Sequence, residues 1–351
     1  MALVLGLLMA FGVRGQLIIN TTQPPTTLVQ NVLVGAGVFA SNVTFNGYPG
    51  GSIPPGEEGG RFGRFNGSNT NVGLNGGVIL FTGDVSYAIG PNDEEVVGAG
   101  GFPFNGTPDA DIAEVARYPG WQLGTGAGVY NKSVLEFDFI PMFDMVKFRY
   151  VFSSEEYERW TCMEYNDSFG FFLSGPGISG PFSNNAINLA TVPGSLAPVG
   201  VNSVNSGMVP NNANYWDALN PFGGCFAVDP NWMNNTQYYI YNGGEVQGLQ
   251  GGAQTEAPYC CDPYYIQANG LTVVLEATAA VKCGVQYHMK LALGNIGDWR
   301  VPSGVFLEQG SFTSSDRFAL DVVSGSNVEF SATDTTFIES DCDSVYLRFH
   351  R

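Results

Sequence analysis

The run VLEFDFIPMFDMVKFRYVF, residues 134–152, constrains the fold more tightly than any other stretch of the chain. Leu135, Phe137 and Phe139 alternate with Glu136 and Asp138; Val146, Phe148 and Tyr150 alternate with Lys147 and Arg149. A period of two puts successive side chains on opposite faces, so both halves read as strands with one buried face. Closing the chain at Pro141 to Asp144 predicts a hairpin pairing Phe139 with Val146, Phe137 with Phe148 and Leu135 with Tyr150. The same register sets Asp138 against Lys147 and Glu136 against Arg149, a solvated charge ladder with no catalytic role. A slip of one residue would oppose charges and aromatics, so the register is strongly specified.

The rest of the chain repeats this grammar. NVGLNGGVILFTG, DSFGFFLSG, GLTVVLEATAAV, QYHMKLALG and SGVFLEQGSF are short apolar strands bounded by Gly, Asn, Asp or Ser. With 47 Gly and 20 Pro among 351 residues, tight turns between strands are favoured over long helices. The predicted class is all-β, a Gly/Asn-rich β-sandwich or jelly roll with long loops. One short helix is expected in TPDADIAEVARY, with Thr107 as N-cap and Pro108 at the first helical position. Residues 194–263, rich in Gly and Asn, read as long loops decorating the sandwich.

The opening MALVLGLLMAFGVRG is apolar, too short to span a bilayer, and ends with Val13 and Gly15 at the small-residue positions of a signal-peptidase site. Residues 1–15 are therefore expected to be a signal peptide, with a buried first strand as the alternative. No later segment is long and apolar enough for a membrane-spanning helix. Six cysteines, Cys162, Cys225, Cys260, Cys261, Cys283 and Cys342, suit an oxidising compartment, and the first five are the disulfide candidates of the main domain. Their connectivity cannot be read from spacing. Zinc is the weaker reading, because the sequence has no C-x-x-C pair and only two histidines. A formal net charge of −18 argues against nucleic acid as a partner.

Familiar catalytic signatures fail. GPGISG at 175–180 matches G-x-G-x-x-G, but its prolines and the polar FSNN that follows start no helix to receive a pyrophosphate. A Ser-His-Asp triad would need His288, which lies in an alternating strand. Neither a Walker loop nor an H-E-x-x-H motif is present.

The succession NTTQPPTTLVQNVLVGAGVFASNVTFNG, NVGLNGGVILFTGDV, GTPDADIAEVA, VLEFDFIPMFDMVKFRYVFSSEEY, YNDSFGFFLSGPGISGPFSNNAINLATVPGS, YYIQANGLTVVLEATAAVKCGVQYHMKLALGNIGDW and SGVFLEQGSF resembles the choice-of-anchor L domain. That family is a module of exported Bacteroidota surface proteins, usually preceding repeated β-domains and a sorting signal. The resemblance implies location and modular architecture, and it brings no catalytic assignment. Residues 16–315 would form the domain. Residues 316–351 would be the incomplete start of a further extracellular β-domain. The segment 211–258, with Cys225, is more elaborate than the family pattern.

The stretch SSEEYERWTCMEYNDS gathers Glu155, Glu156, Glu158, Glu164 and Asp167 in a chain with only 13% charged residues. Ca²⁺ takes six to eight oxygens, and acids on loops between rigid strands suit it. The expected metal ligands are Glu155, Glu156 and Asp167 with Asp109 and Asp111 of the short helix; Asp298 resembles a further acidic loop of the family. A solvated acidic loop or N-cap network weighs slightly more than calcium, and a glycosidase pair at Glu155 and Glu156 weighs least. The leading functional reading is a non-catalytic adhesion or interaction module, secreted or on the cell surface, with an extracellular protein or glycan as partner. A carbohydrate-binding module is second, with Trp216, Trp232, Tyr238 and Tyr239 available to stack on sugar rings. A glycoside hydrolase comes third.

Overall fold

The computed structural model describes residues 15–55, 60–92, 109–116, 128–163, 165–208, 223–243, 262–297 and 299–315, with two further strands at 319–323 and 346–350. The first part of the chain supplies strand β1 (Ile18–Asn20), helix α1 (Pro25–Leu28), then β2 (Val38–Phe45), β3 (Tyr48–Pro49), β4 (Phe62–Asn66) and β5 (Gly76–Phe81). Helix α2 (Ala110–Ala116) precedes the long strands β6 (Val129–Pro141) and β7 (Met145–Ser154), followed by β8 (Ser168–Ser174) and β9 (Ile187–Asn188). Helix α3 (Gly223–Val228) leads to β10 (Tyr239–Tyr241), β11 (Gly270–Thr272), β12 (Leu275–Ala280) and β13 (Tyr287–Ile296). The series continues with β14 (Ser303–Glu308), β15 (Thr313–Ser315), β16 (Ala319–Val323) and β17 (Tyr346–His350).

These strands form an all-β sandwich. A nine-stranded sheet runs β1-β4-β5-β14-β7-β11-β10, with β12 and β15 also paired to β7. A six-stranded sheet runs β3-β2-β6-β13-β8-β9. All of these pairings are antiparallel. Strands β16 and β17 pair with each other in a separate sheet.

The strands of the 134–152 run are where alternation predicts them, and their partners are not. Strand β6 pairs with β2 and β13 in the six-stranded sheet, whereas β7 lies centrally in the nine-stranded one. The segment is an arch that changes sheets at Pro141 to Asp144, so the predicted hairpin is corrected. Backbone bonds hold the corner from outside: Met142 N–H donates to Gly37 O and Val281 N–H to Asp144 O. Alternation states which face is buried; it does not state which strand lies alongside. An arch and a hairpin both satisfy it, because the inward faces of two packed sheets meet much as neighbours on one face do.

The predicted apolar faces do meet, across the sandwich rather than along it. Phe137, Phe139, Phe148 and Tyr150 are fully buried in one core. Phe312 sits between them, stacked on Phe148 at 4.1 Å and edge-on to Phe137 at 5.5 Å and Phe139 at 4.9 Å. The charged ladder changes partners accordingly. Asp138 lies opposite His288 and Glu136 opposite Lys290, while Lys147 contacts Glu276 and Arg149 binds Glu308.

Two further expectations shift. The Asp109 carboxylate accepts the N–H groups of Asp111 and Ile112, so Asp109 caps α2; Thr107 and Pro108 lie outside the described residues. Within the stretch read as decorating loops, Val199, Val201 and Val204 are fully buried in the main core. That segment lacks strand periodicity, and its valines pack through turns.

Phe148→Ala should cost about 3–5 kcal/mol in denaturant unfolding, since the stack on Phe312 leaves little room for collapse. The Tyr150 hydroxyl is buried with no hydrogen-bond partner among the described residues. Tyr150→Phe should therefore leave stability unchanged or raise it by about 1 kcal/mol.

Candidate functional site

The acidic stretch leaves the end of β7 and folds into a crown of loops over one edge of the sandwich. Ser154, Glu155, Glu156, Glu158 and Asp167 are all at most 3% exposed, so the crown is not a solvated acidic loop. Its backbone is tied to neighbouring strands: Glu155 N–H donates to Pro302 O, Asn269 Nδ2 to Glu155 O, and Ser154 Oγ accepts from Glu156 N–H. Asp167, at the entry of β8, accepts Ile296 N–H at 2.9 Å and Ser303 Oγ–H at 2.7 Å. Ser303 in turn lies 2.8 Å from Ser154 Oγ. One carboxylate thereby joins the ends of β7, β8, β13 and β14.

Glu158 is held by hydroxyls. Its carboxylate accepts from Ser206 Oγ–H and, at 2.6 Å, from the Tyr239 hydroxyl. Burial pushes the Glu158 pKa above the usual carboxylate range, with the two hydrogen bonds opposing. Burial and the neighbouring Glu158 raise both Tyr157 and Tyr239. These rings pack at 4.9 Å, and Tyr157 donates to Val204 O. Gly270 on β11 makes room for them, because a Cβ there would fall 2.6 Å from each ring.

A disulfide between Cys162 and Cys225 staples the crown to α3, and Trp232 packs against it. Cys283 is an exposed free thiol and is corrected as a bridge candidate. It lies at the Pro141–Asp144 corner, its Sγ on Met142 O, at the opposite end of β7 from the crown. Ten strand residues, about 30 Å, separate the two ends. Cys260, Cys261, Cys342, Glu164, Trp216, Asp298 and residues 1–14 of the expected signal peptide lie outside the described residues.

Of the four aromatics considered for sugar stacking, Trp232 is buried, Tyr239 serves Glu158, and Tyr238 is half-buried with its hydroxyl directed at Pro193 O. Of the five expected calcium ligands, Asp109 and Asp111 clasp Lys290 at 2.7 and 2.8 Å, and Asp167 serves Ile296 and Ser303. Among the described residues, no group of three or more His, Cys, Asp or Glu is placed to hold a metal.

Lys290 belongs to a second polar cluster, on the outer face of the six-stranded sheet. His288 lies with Nδ1 2.8 Å from Asp138 and Nε2 3.3 Å from Glu136. The Glu136 hydrogen bond, reinforced by Asp138, raises the His288 pKa against a smaller effect of burial. Glu136 is lowered chiefly by His288. For Asp138 burial is the largest influence and acts upward, yet Asn42 and His288 bring it below its usual range. Burial likewise opposes the charges of Asp111 and Lys290, and their ion pair and hydrogen bonds prevail. The outward alternation of His288 and Lys290 in YHMKL was a signal for this cluster, but Lys147 and Arg149 offered the acids an equally good ladder.

A two-sheet antiparallel sandwich with a disulfide-stapled crown defines a β-sandwich module. The chain belongs to the choice-of-anchor L domain family, whose model matches residues 18–313. This is a family of surface, extracellular domains. No curated protein and no solved structure gives a significant match.

Two pH dependences follow. Glu158, raised in the folded state, contributes stability that is complete below the unfolded carboxylate value and is lost as pH rises through the folded one. Glu158→Gln should remove that fall from urea unfolding between about pH 4 and 7. His288 contributes stability complete below about pH 6.5 and lost as pH rises through its raised folded value, whereas Glu136 and Asp138 contribute above about pH 4.5. His288→Gln should thus lower the melting temperature most between those limits and least at alkaline pH, by under about 1 kcal/mol because the side chains are a third exposed.

Proposed function

We propose that the domain is a non-catalytic interaction module of an exported surface protein, a stiff sandwich that presents its loops to an extracellular partner. One observation carries this reading: the carboxylates gathered after β7 are turned inward. Glu155 and Glu156 are 3% and 1% exposed, and Asp167 and Glu158 accept hydrogen bonds from backbone and hydroxyl donors. A glycosidase needs two carboxyl groups facing one scissile bond across an open cleft. Side chains buried this deeply organise loops instead. Family membership supports the extracellular setting.

The test uses the full chain. Immobilised on beads, it is expected to retain an extracellular protein in a protease-sensitive manner and to release no reducing ends from a polysaccharide panel. Sugar release abolished by Glu155→Gln or Glu156→Gln would restore the hydrolase reading. Selective retention on a glycan array would favour the carbohydrate-binding one. A calcium ion bound by the acidic loops would stabilise the folded state by about 2.7 kcal/mol at a hundredfold excess over Kd. Melting that rises in millimolar Ca²⁺ and falls in chelator supports such an ion, and identical melting withdraws it.

A further inference from the structure

A groove of about 250 Å³ runs beside the edge strand of the nine-stranded sheet, lined by β1, β4, the β4–β5 turn and Gln309 just after β14. Asn20 lies opposite Arg64, and Ile18, Asn66 and Gly76 are successive cross-strand partners in the adjacent row. We infer that this groove docks an extended acidic segment of a partner protein, which adds to the sheet beside β1 and sets a carboxylate on Arg64.

The guanidinium decides the sign of the ligand. In a chain with 14 Lys and Arg against 32 Asp and Glu, Lys147, Arg149 and Lys290 are each met by acids. Arg64 is exposed, and its Nη2 donates instead to the neutral Gln309 Oε1 at 3.1 Å. That bond orients the planar fork without neutralising it, and the remaining N–H groups suit the two oxygens of a carboxylate. Among the described residues, no Asp or Glu lines the groove. The net charge of −18 does not cancel this local preference, because at physiological salt the field of distant charges decays over about 8 Å.

The amides give an independent reason. Asn20 Oδ1 accepts the N–H and the hydroxyl of Thr22, Asn66 Oδ1 accepts Ser68 N–H, and Gln309 Oε1 accepts from Arg64. With each oxygen already taken by a donor, these three exposed side chains offer a ligand their NH₂ groups. Guanidinium and amide nitrogens together make the groove rich in donors. An ionised carboxylate, which only accepts, matches such a site, and an ammonium, which only donates, does not.

The sheet edge decides the class of partner. Strand β1 ends the strand order and, among the described residues, pairs only with β4, so the backbone groups on its other side are open to a further strand. A peptide in extended form pairs with them, and its own N–H groups find acceptors on β1; an acidic sugar would leave that edge to water. Alternate side chains of the added strand then share the face of Ile18 and Asn20. An acidic residue opposite Asn20 reaches Arg64, and an apolar residue two positions along covers Ile18, which is 63% exposed.

The inference rests on reading the domain as a binding module, and the two fail separately. Peptide binding with no extracellular protein retained would count against the module and uphold the groove; a partner retained equally by the Arg64→Gln chain, with no peptide bound, would overturn the groove and leave the module. The probe is acetyl-Thr-Val-Thr-Glu-Thr-Val-Thr-amide, titrated into the ¹⁵N-labelled full chain. Saturable shifts are expected at residues 18–20 and at the Arg64 Nε–H, with slowed hydrogen exchange along β1. Replacing the peptide's Glu by Gln, or Arg64 by Gln at its exposed position, should weaken binding at least about tenfold, and N-methylation of alternate peptide bonds should abolish it. No saturable shift up to about 10 mM, equal binding of the Gln peptide, indifference to Arg64→Gln, or preferential binding of a trigalacturonate would overturn the proposal.

Discussion

The packing of Phe312 between β6 and β7 is the contact on which the architecture depends. These strands are consecutive, joined by a corner, and each is hydrogen-bonded within a different sheet. At this contact the sheets meet through buried side chains: Phe148 is stacked on Phe312, with Phe137 and Phe139 edge-on to the same ring. Aromatic groups of this size contribute most of the core energy of a sandwich, and edge-on geometry adds to it. With the arch closed, β7 gathers β11, β12, β14 and β15 around itself, and β13 comes to lie between β6 and β8.

The crown follows from the same arrangement. The end of β7 emerges between β11 and β14, where Pro302 and Asn269 receive its backbone and Ser303 its hydroxyl partner. Asp167 then links β13 and β14 through Ile296 and Ser303. A buried carboxylate is costly unless it is hydrogen-bonded, and these donors meet that cost. Asp167 therefore ties four strand ends together.

Much of the fold was legible in the sequence, for identifiable reasons. Alternation around Phe137 and Phe148 gave the correct inward faces, because period and burial are local properties. Pairing was not legible, since Glu136 and Asp138 could face either Lys147 and Arg149 or His288 and Lys290, and only the long-range topology chooses. The clustering of Glu155, Glu156, Glu158 and Asp167 was visible, but its inward direction depends on Ser303, Tyr239 and Ser206, which are distant in sequence. Asp109 and Asp111 belonged with Lys290, a pairing that needs α2 to dock on β8 and β13. Export suited the cysteines, yet spacing could not show that Cys162 meets Cys225 or that Cys283 stands alone at the far corner.

The structural role of the acidic crown is most directly tested by a double-mutant cycle on Asp167 and Ser303, read by equilibrium unfolding. Both side chains are fully buried and directly bonded. The account predicts that Asp167→Asn and Ser303→Ala are each destabilising and that their coupling energy is about 1.5–3 kcal/mol. Additive effects, with coupling near zero, would contradict it and return the crown to the candidates for a ligand site.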